Sequence, residues 1–101
     1  MTVFIDDMYK APMGRLGRMK MSHMMADTRE ELIAMAQSIG LSLDYIQYDD
    51  LGRSRRHFDV SKSYREKAIN NGAIPVTMRE LARKARAWRT DDAEKCNPAS
   101  K

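Results

Sequence analysis

The sequence predicts a small α/β domain of the α+β type, with three helices packed on a mixed sheet of three to four strands. Two observations carry this. Hydroxyl-x-x-glutamate patterns stand at Thr28-Arg29-Glu30-Glu31, Ser63-Tyr64-Arg65-Glu66 and Thr77-Met78-Arg79-Glu80. In a capping box the hydroxyl accepts from the amide three residues on while the carboxylate reaches back, so each pattern marks a helix start. Between and before them lie short β-branched or alternating runs that read as strands. A chain of 101 residues, 43% hydrophobic and 32% charged, holds one core and is too apolar to stay disordered.

Taken in order, Thr2 to Asp6 is β-rich and weakly alternating, and predicts the first strand. Met8 to Gly17 holds Pro12, Gly14 and Gly17 among basic residues and predicts a long, mobile connection. Met19 to Met25 alternates Met19, Met21, His23 and Met25 against Lys20, Ser22 and Met24, a second strand. A helix over 28 to 39 presents Leu32, Met35, Ala36 and Ile39 at helical spacing and stops at Gly40. Short strands are expected at Tyr45 to Tyr48 and His57 to Val60. A thin helix runs from Ser63 to Asn71 and stops at Gly72, with Ala68 and Ile69 inward.

The third helix, 77 to 89, sets Met78, Leu81, Ala82, Ala85 and Trp88 on one arc and Arg79, Arg83 and Arg86 opposite. Val76 is placed to staple onto Leu81, and Trp88 to anchor the helix on the core rather than to stack on a base. Residues 91 to 101 have no apolar period and read as a frayed or disordered tail, leaving a single domain over residues 1 to 90. No apolar run is long enough for a membrane span or signal peptide, and the single Cys96 has no partner for a disulfide or a cysteine zinc site. A cytoplasmic protein without a membrane partner is expected.

The net charge of +4 is concentrated in patches. Lys10, Arg15, Arg18 and Lys20 make one, Arg53, Arg55 and Arg56 a second, and Arg79, Arg83, Lys84, Arg86 and Arg89 a third. Such patches attract polyanions through counterion release, although basic loops are often only solvated surface. Ser61, Lys62 and Arg65 at the start of the second helix form a candidate phosphate cradle; the plainer alternative is a capped helix with two solvated cations. No P-loop or dinucleotide fingerprint is present, and no serine or Cys96 sits in a nucleophile motif.

Asp6, Asp7, His23, Asp27, Gln47, His57 and Asp59 lie on or beside predicted strands, where polar groups must be satisfied or used. His57 and Asp59, two residues apart, leave the same face of a strand, and His23 joins them if its strand lies alongside. Two imidazoles with carboxylates suit a divalent metal, or a general acid and base acting on a phosphoester. The commoner role of a His-Asp pair on a strand is a structural hydrogen bond. Met8, Met13, Met19, Met21, Met24 and Met25 offer a third possibility, an adaptable apolar surface for a protein partner, against the more usual use as core filler.

Several short motifs together resemble the uncharacterised bacterial and phage family called domain of unknown function 4031. They are Val3-Phe4-Ile5-Asp6-Asp7, Ser22-His23-Met24-Met25-Ala26-Asp27 with Glu31-Leu32, Ile39-Gly40, Gln47, His57-Phe58-Asp59-Val60 with Lys62, and Gly72-Ala73. The resemblance covers residues 2 to 76 and leaves the basic helix over 77 to 89 outside. Where the family commonly reads His-Tyr-Asp, this chain reads His57-Phe58-Asp59. The family supplies no activity; the resemblance implies the polar set Asp6, Asp7, His23, Asp27, Gln47, His57, Asp59 and Lys62, and a bacterial or phage origin with action in the bacterial host cytoplasm. The leading expectation is binding of nucleic acid or a nucleotide phosphate through Lys62, Arg65, Arg79, Arg83 and Arg86. A phosphoesterase or nuclease built on His23, His57 and Asp59 with Asp6 or Asp7, and a host-protein interaction module, are the alternatives.

Overall fold

A computed structural model describes the backbone of residues 2–12, 15–16 and 19–96, and the side chains of 2–12 and 20–91. The strands are β1 (Val3–Ile5), β2 (Arg15–Leu16), β3 (Met19–Ala26), β4 (Ile46–Gln47), β5 (His57–Ser61) and β6 (Ile74–Pro75). The helices are α1 (Arg29–Ser38), α2 (Lys62–Asn70) and α3 (Met78–Cys96). The main sheet has the order β4-β5-β3-β1-β6, and β2 pairs with β3 beside it. Five strands in this path exceed the three to four expected. The additional strand is β6, whose two residues are too few to show a period; it pairs parallel with β1 through Phe4 and Ile74. The connection after β1 also carries β2 and a 3-10 turn at Met8–Lys10. Met13, Gly14, Gly17 and Arg18 fall outside the described residues.

The topology decides which face of the sheet is left for chemistry. β3 is antiparallel to both β1 and β5, so β3-α1-β4 and β5-α2-β6 are each crossovers between parallel strands. The two crossovers start from opposite strand directions and move toward opposite edges. With the same right-handed sense they therefore lie on the same face. There Val3, Ile5, Met24, Ala26, Phe58 and Val60 meet Leu32, Met35, Ala36 and Ala68 in the main core. α3 takes part of the other face, where Leu81 and Trp88 pack on Phe4 and Met25. Trp88 and Phe4 stack at a tilt, with ring centroids 6.1 Å apart.

The helix starts follow from local chemistry. Thr77 and Glu80 form a full capping box, with Glu80 N–H donating to Thr77 Oγ1 at 3.1 Å and Thr77 N–H to Glu80 Oε1 at 2.9 Å. Val76 joins Leu81 in the second apolar cluster, as a staple requires. At α1 the Thr28 hydroxyl accepts from Glu31 N–H, and Gly40 takes φ +77° after the helix. α2 corrects the expected start at Ser63: its N-cap is Ser61, because β5 turns into the helix with no intervening loop. α3 runs on to Cys96 instead of ending at 89. No proline intervenes between residues 89 and 96, and Asp91 within the extension pairs with Arg53 at 2.6 Å. Met8, Met24 and Met25 are buried, so these three methionines fill core positions.

Candidate functional site

The part of the second face that α3 leaves open carries the polar residues of β3, β4 and β5. His23 lies directly opposite Asp59 in the β3-β5 ladder, and His57 opposite Gln47 in the β4-β5 ladder. Strand alternation turns Phe58 and Val60 into the core and His57 and Asp59 out of it, where they meet His23. Asp6 follows β1 directly, and its amide bonds the His23 carbonyl at 3.0 Å. The imidazoles of His23 and His57 meet edge to face with centroids 5.2 Å apart. One ligand atom from each of His23, His57 and Asp59 lies within 4.8 Å of the others.

Both rings are oriented from behind. Asp6 is almost wholly buried; its Oδ2 lies 2.8 Å from His23 Nδ1 while its Oδ1 accepts from the amides of His23 at 2.8 Å and Met8 at 3.1 Å. His57 Nδ1 lies 2.7 Å from the Arg55 carbonyl. A carbonyl and a carboxylate only accept, so each Nδ1 carries the proton, and in the neutral rings the lone pair sits on Nε2. Those two nitrogens face Asp59 Oδ1 at 3.8 Å and 3.4 Å. Gln47 Nε2 donates to Asp59 Oδ2 at 2.9 Å, while Oδ1 is buried without a hydrogen-bond partner among the described residues. Two lone pairs and an anionic oxygen converging on one point repel, unless a proton or a cation stands between them.

The cluster favours the charged forms of its members. The Asp6 hydrogen bond, opposed by burial and aided by the charges of Asp6 and Asp59, raises the His23 pKa above its ordinary value. The His57 imidazole beside Asp59, opposed by burial and joined by the charge of His23, holds that carboxyl below its usual range. The His57 ring, 3.4 Å away, is the largest cause of that shift, yet the contact is too loose to satisfy Oδ1 as a hydrogen bond.

Two clefts flank the cluster. One of about 350 Å³ lies between sheet and α3, with His23, His57, Tyr48 and Arg55 on one wall and Leu81 and Ala85 on the other. The second, of about 400 Å³, joins Asp59, Gln47 and Ser61 to Met21, Tyr45 and Tyr64. Tyr48 sits in the left-handed region at φ 55° and ψ 36°, with its ring 5.8 Å from that of His57. An aromatic residue there costs about 1–3 kcal/mol, which its surroundings must offset. Tyr45, Tyr48 and the Arg55 carbonyl are functional candidates that sequence reasoning missed; the two tyrosines flanking Gln47 were the available signal.

The remaining candidates do not join the cluster. Asp7 Oδ1 accepts from the Met78 amide at 3.0 Å and so caps α3. Asp27 stands at the end of β3, where its backbone bonds Thr2 and Arg53. Ser61 caps α2 and also borders the second cleft. Lys62 and Arg65 gather over the Tyr9 ring, at 5.5 Å and 4.8 Å from its centroid, and Arg65 also donates to the Asp6 carbonyl. Arg79, Arg83 and Arg86 are exposed on α3, across the sheet from α2.

The model of the family described as Protein of unknown function (DUF4031) matches residues 3–88. The chain belongs to the DUF4031 family. The match reaches through most of α3, so the basic helix that the motif resemblance left outside is part of the DUF4031 domain. His23, His57, Asp59, Asp6 and Gln47 all fall within it. No curated protein and no solved structure matches the chain. Among the described residues of this DUF4031 chain, no helix is long and apolar enough to cross a membrane.

Proposed function

We propose that this DUF4031 domain binds a divalent first-row transition metal through His23, His57 and Asp59 and uses it to hydrolyse a phosphoester. The observation that carries the reading is Asp59 Oδ1, buried without a hydrogen-bond partner among the described residues and faced by two imidazole nitrogens. A structural His-Asp pair would satisfy that oxygen. Tetrahedral ligands about 2.1 Å from an ion stand about 3.4 Å apart, close to the 3.4 Å and 3.8 Å separations here. Two imidazoles favour ions such as Zn²⁺ over Mg²⁺ or Ca²⁺, and three protein ligands leave a position open for water or substrate. A metal in such a site supplies a Lewis acid and an acidified water.

The chain's own residues do the rest. Asp6 and the Arg55 carbonyl hold the two rings with Nε2 forward, and Gln47 fixes Asp59 by its other oxygen. Arg55, on the cleft wall, is placed to meet a phosphoryl oxygen. Binding of polyanions through the basic patches is the second reading, favoured by the net charge of +4. It has less geometric support, because Lys62 and Arg65 on α2 stand across the sheet from Arg79, Arg83 and Arg86 on α3.

The test is Zn²⁺ and Mn²⁺ binding by competition with a chromogenic chelator, together with hydrolysis of bis(p-nitrophenyl) phosphate. One equivalent of metal is expected, lost in His23→Ala, His57→Ala and Asp59→Ala. Affinity should rise with pH, because His23 must release a proton whose pKa is raised. Equal binding by the parent and all three variants would overturn the proposal.

A further inference from the structure

The two clefts beside the cluster differ in a way that bears on the substrate. Tyr45 is 63% exposed and borders the cleft that contains Asp59; Tyr48 is 52% exposed and borders the cleft that contains His23, His57 and Arg55. Between them in sequence stands Gln47, the residue that holds Asp59. An aromatic ring open to solvent therefore stands on each side of the proposed metal ligands. Both rings stand outside the two apolar clusters of the domain, and an aromatic face next to a cationic group suits a planar, anionic ligand.

Charge selects among such ligands. The segment after Tyr48 carries Arg53, Arg55 and Arg56. Arg56 is committed to Asp49, and Arg53 to Asp91 and the Asp27 carbonyl. Arg55 is exposed, lines the cleft with both imidazoles, and lends its backbone carbonyl to His57. Asp44 and Asp50, exposed on the tyrosine-bearing segment, would repel a phosphate chain, whereas Arg55 would attract it. We infer that the substrate is single-stranded nucleic acid, with bases stacked on Tyr45 and Tyr48 and the intervening phosphodiester over His23, His57 and Asp59, beside Arg55.

This rests on the hydrolytic reading of the site, and adds the requirement for unpaired bases. A duplex hides its base faces in the stack and has nothing to offer the two rings, whereas a splayed strand presents one face per ring. DNA and RNA share this chemistry. A free nucleotide would engage one ring and not both.

The experiment uses the full chain with Zn²⁺ at fixed ionic strength. Binding of fluorescein-labelled oligonucleotides is read by anisotropy, with single-stranded DNA, single-stranded RNA and the duplex of each as separate arms. The oligonucleotides carry phosphorothioate linkages that resist cleavage, so the parent chain with its full ligand set serves for the binding measurement. Single strands are expected to bind at least about tenfold tighter than duplexes, and Tyr45→Ala and Tyr48→Gly to weaken binding by about 5- to 150-fold each. Glycine suits the left-handed backbone at position 48, so a loss there reports the ring and not a refolded turn. Duplex binding as tight as single-strand binding, or tyrosine variants with unchanged affinity, would overturn the inference. Metal stoichiometry on the same samples separates the two proposals: an absent metal sinks the hydrolytic reading, whereas a bound metal without strand preference sinks only this one.

Discussion

Replacing Asp6 with asparagine tests the site through a residue that touches no substrate. The Asp6 carboxylate uses Oδ1 to accept two backbone N–H groups and Oδ2 to accept from His23 Nδ1. An asparagine must choose how to lie. With its oxygen toward the two amides it keeps both of those bonds and turns its NH₂ toward His23; the flipped orientation loses two bonds to save one. At about 1 kcal/mol net per bond, the first orientation wins. His23 Nδ1 must then accept, its proton moves to Nε2, and Nε2 no longer has a lone pair for a metal. Loss of an outer partner of this kind lowers metal affinity by about 10- to 100-fold. Losing a charge-assisted hydrogen bond also costs about 1.5–3 kcal/mol of stability. The sign with pH follows from the raised pKa of His23: the stabilisation is complete below the unfolded pKa and is lost as pH rises through the folded one. Asp6→Asn should flatten that slope. Long-range ¹H–¹⁵N spectra of the imidazoles read the tautomer, chelator competition reads the affinity, and urea unfolding across pH reads the slope. An unchanged His23 tautomer with unchanged Zn²⁺ affinity would refute the account of how the ring is held.

Two further outcomes concern the scaffold. Trp88→Ala removes a buried ring that packs α3 on Phe4 of the sheet and should cost about 3–5 kcal/mol in urea unfolding, a large share of a small domain's stability; a loss under about 1 kcal/mol would mean that α3 is not anchored there. Ser61→Ala should lower stability by about 1 kcal/mol, or about 4–8 °C in Tm, while Ser63→Ala stays within about 0.5 kcal/mol; the reverse order would return the N-cap of α2 to Ser63.

The parts of this molecule that could be read from sequence are those set by neighbours along the chain. Thr28 and Thr77 cap helices because the residue three positions on completes the local geometry, and Trp88 falls on the apolar arc of α3 whatever it packs against. His57 and Asp59 share a face because strands alternate. Where the signal depended on a partner elsewhere, it faded. That His23 stands opposite Asp59 follows from the pairing of β3 with β5, which no local pattern encodes. Asp6 and Asp7 look alike in sequence, yet one is buried behind His23 and the other caps α3. Ser61 and Ser63 both fit a cap, and the length of β5 decided between them. β6 is two residues long and exists only because β1 offers it an edge.

The alternation of β5 binds the core and the cluster into one specification. A slip of one residue against β3 would put Phe58 and Val60 into water and drive His57 and Asp59 among the aliphatic side chains under α1 and α2. An unpaired carboxylate cannot be accommodated there without a penalty of several kcal/mol. The polar face thus guards the pairing of its own strands: misregistered chains are rejected by the groups that would do chemistry in the correct one. Insertions or deletions within β5 should therefore be lethal to folding and function together, and the tolerated variation confined to its flanks.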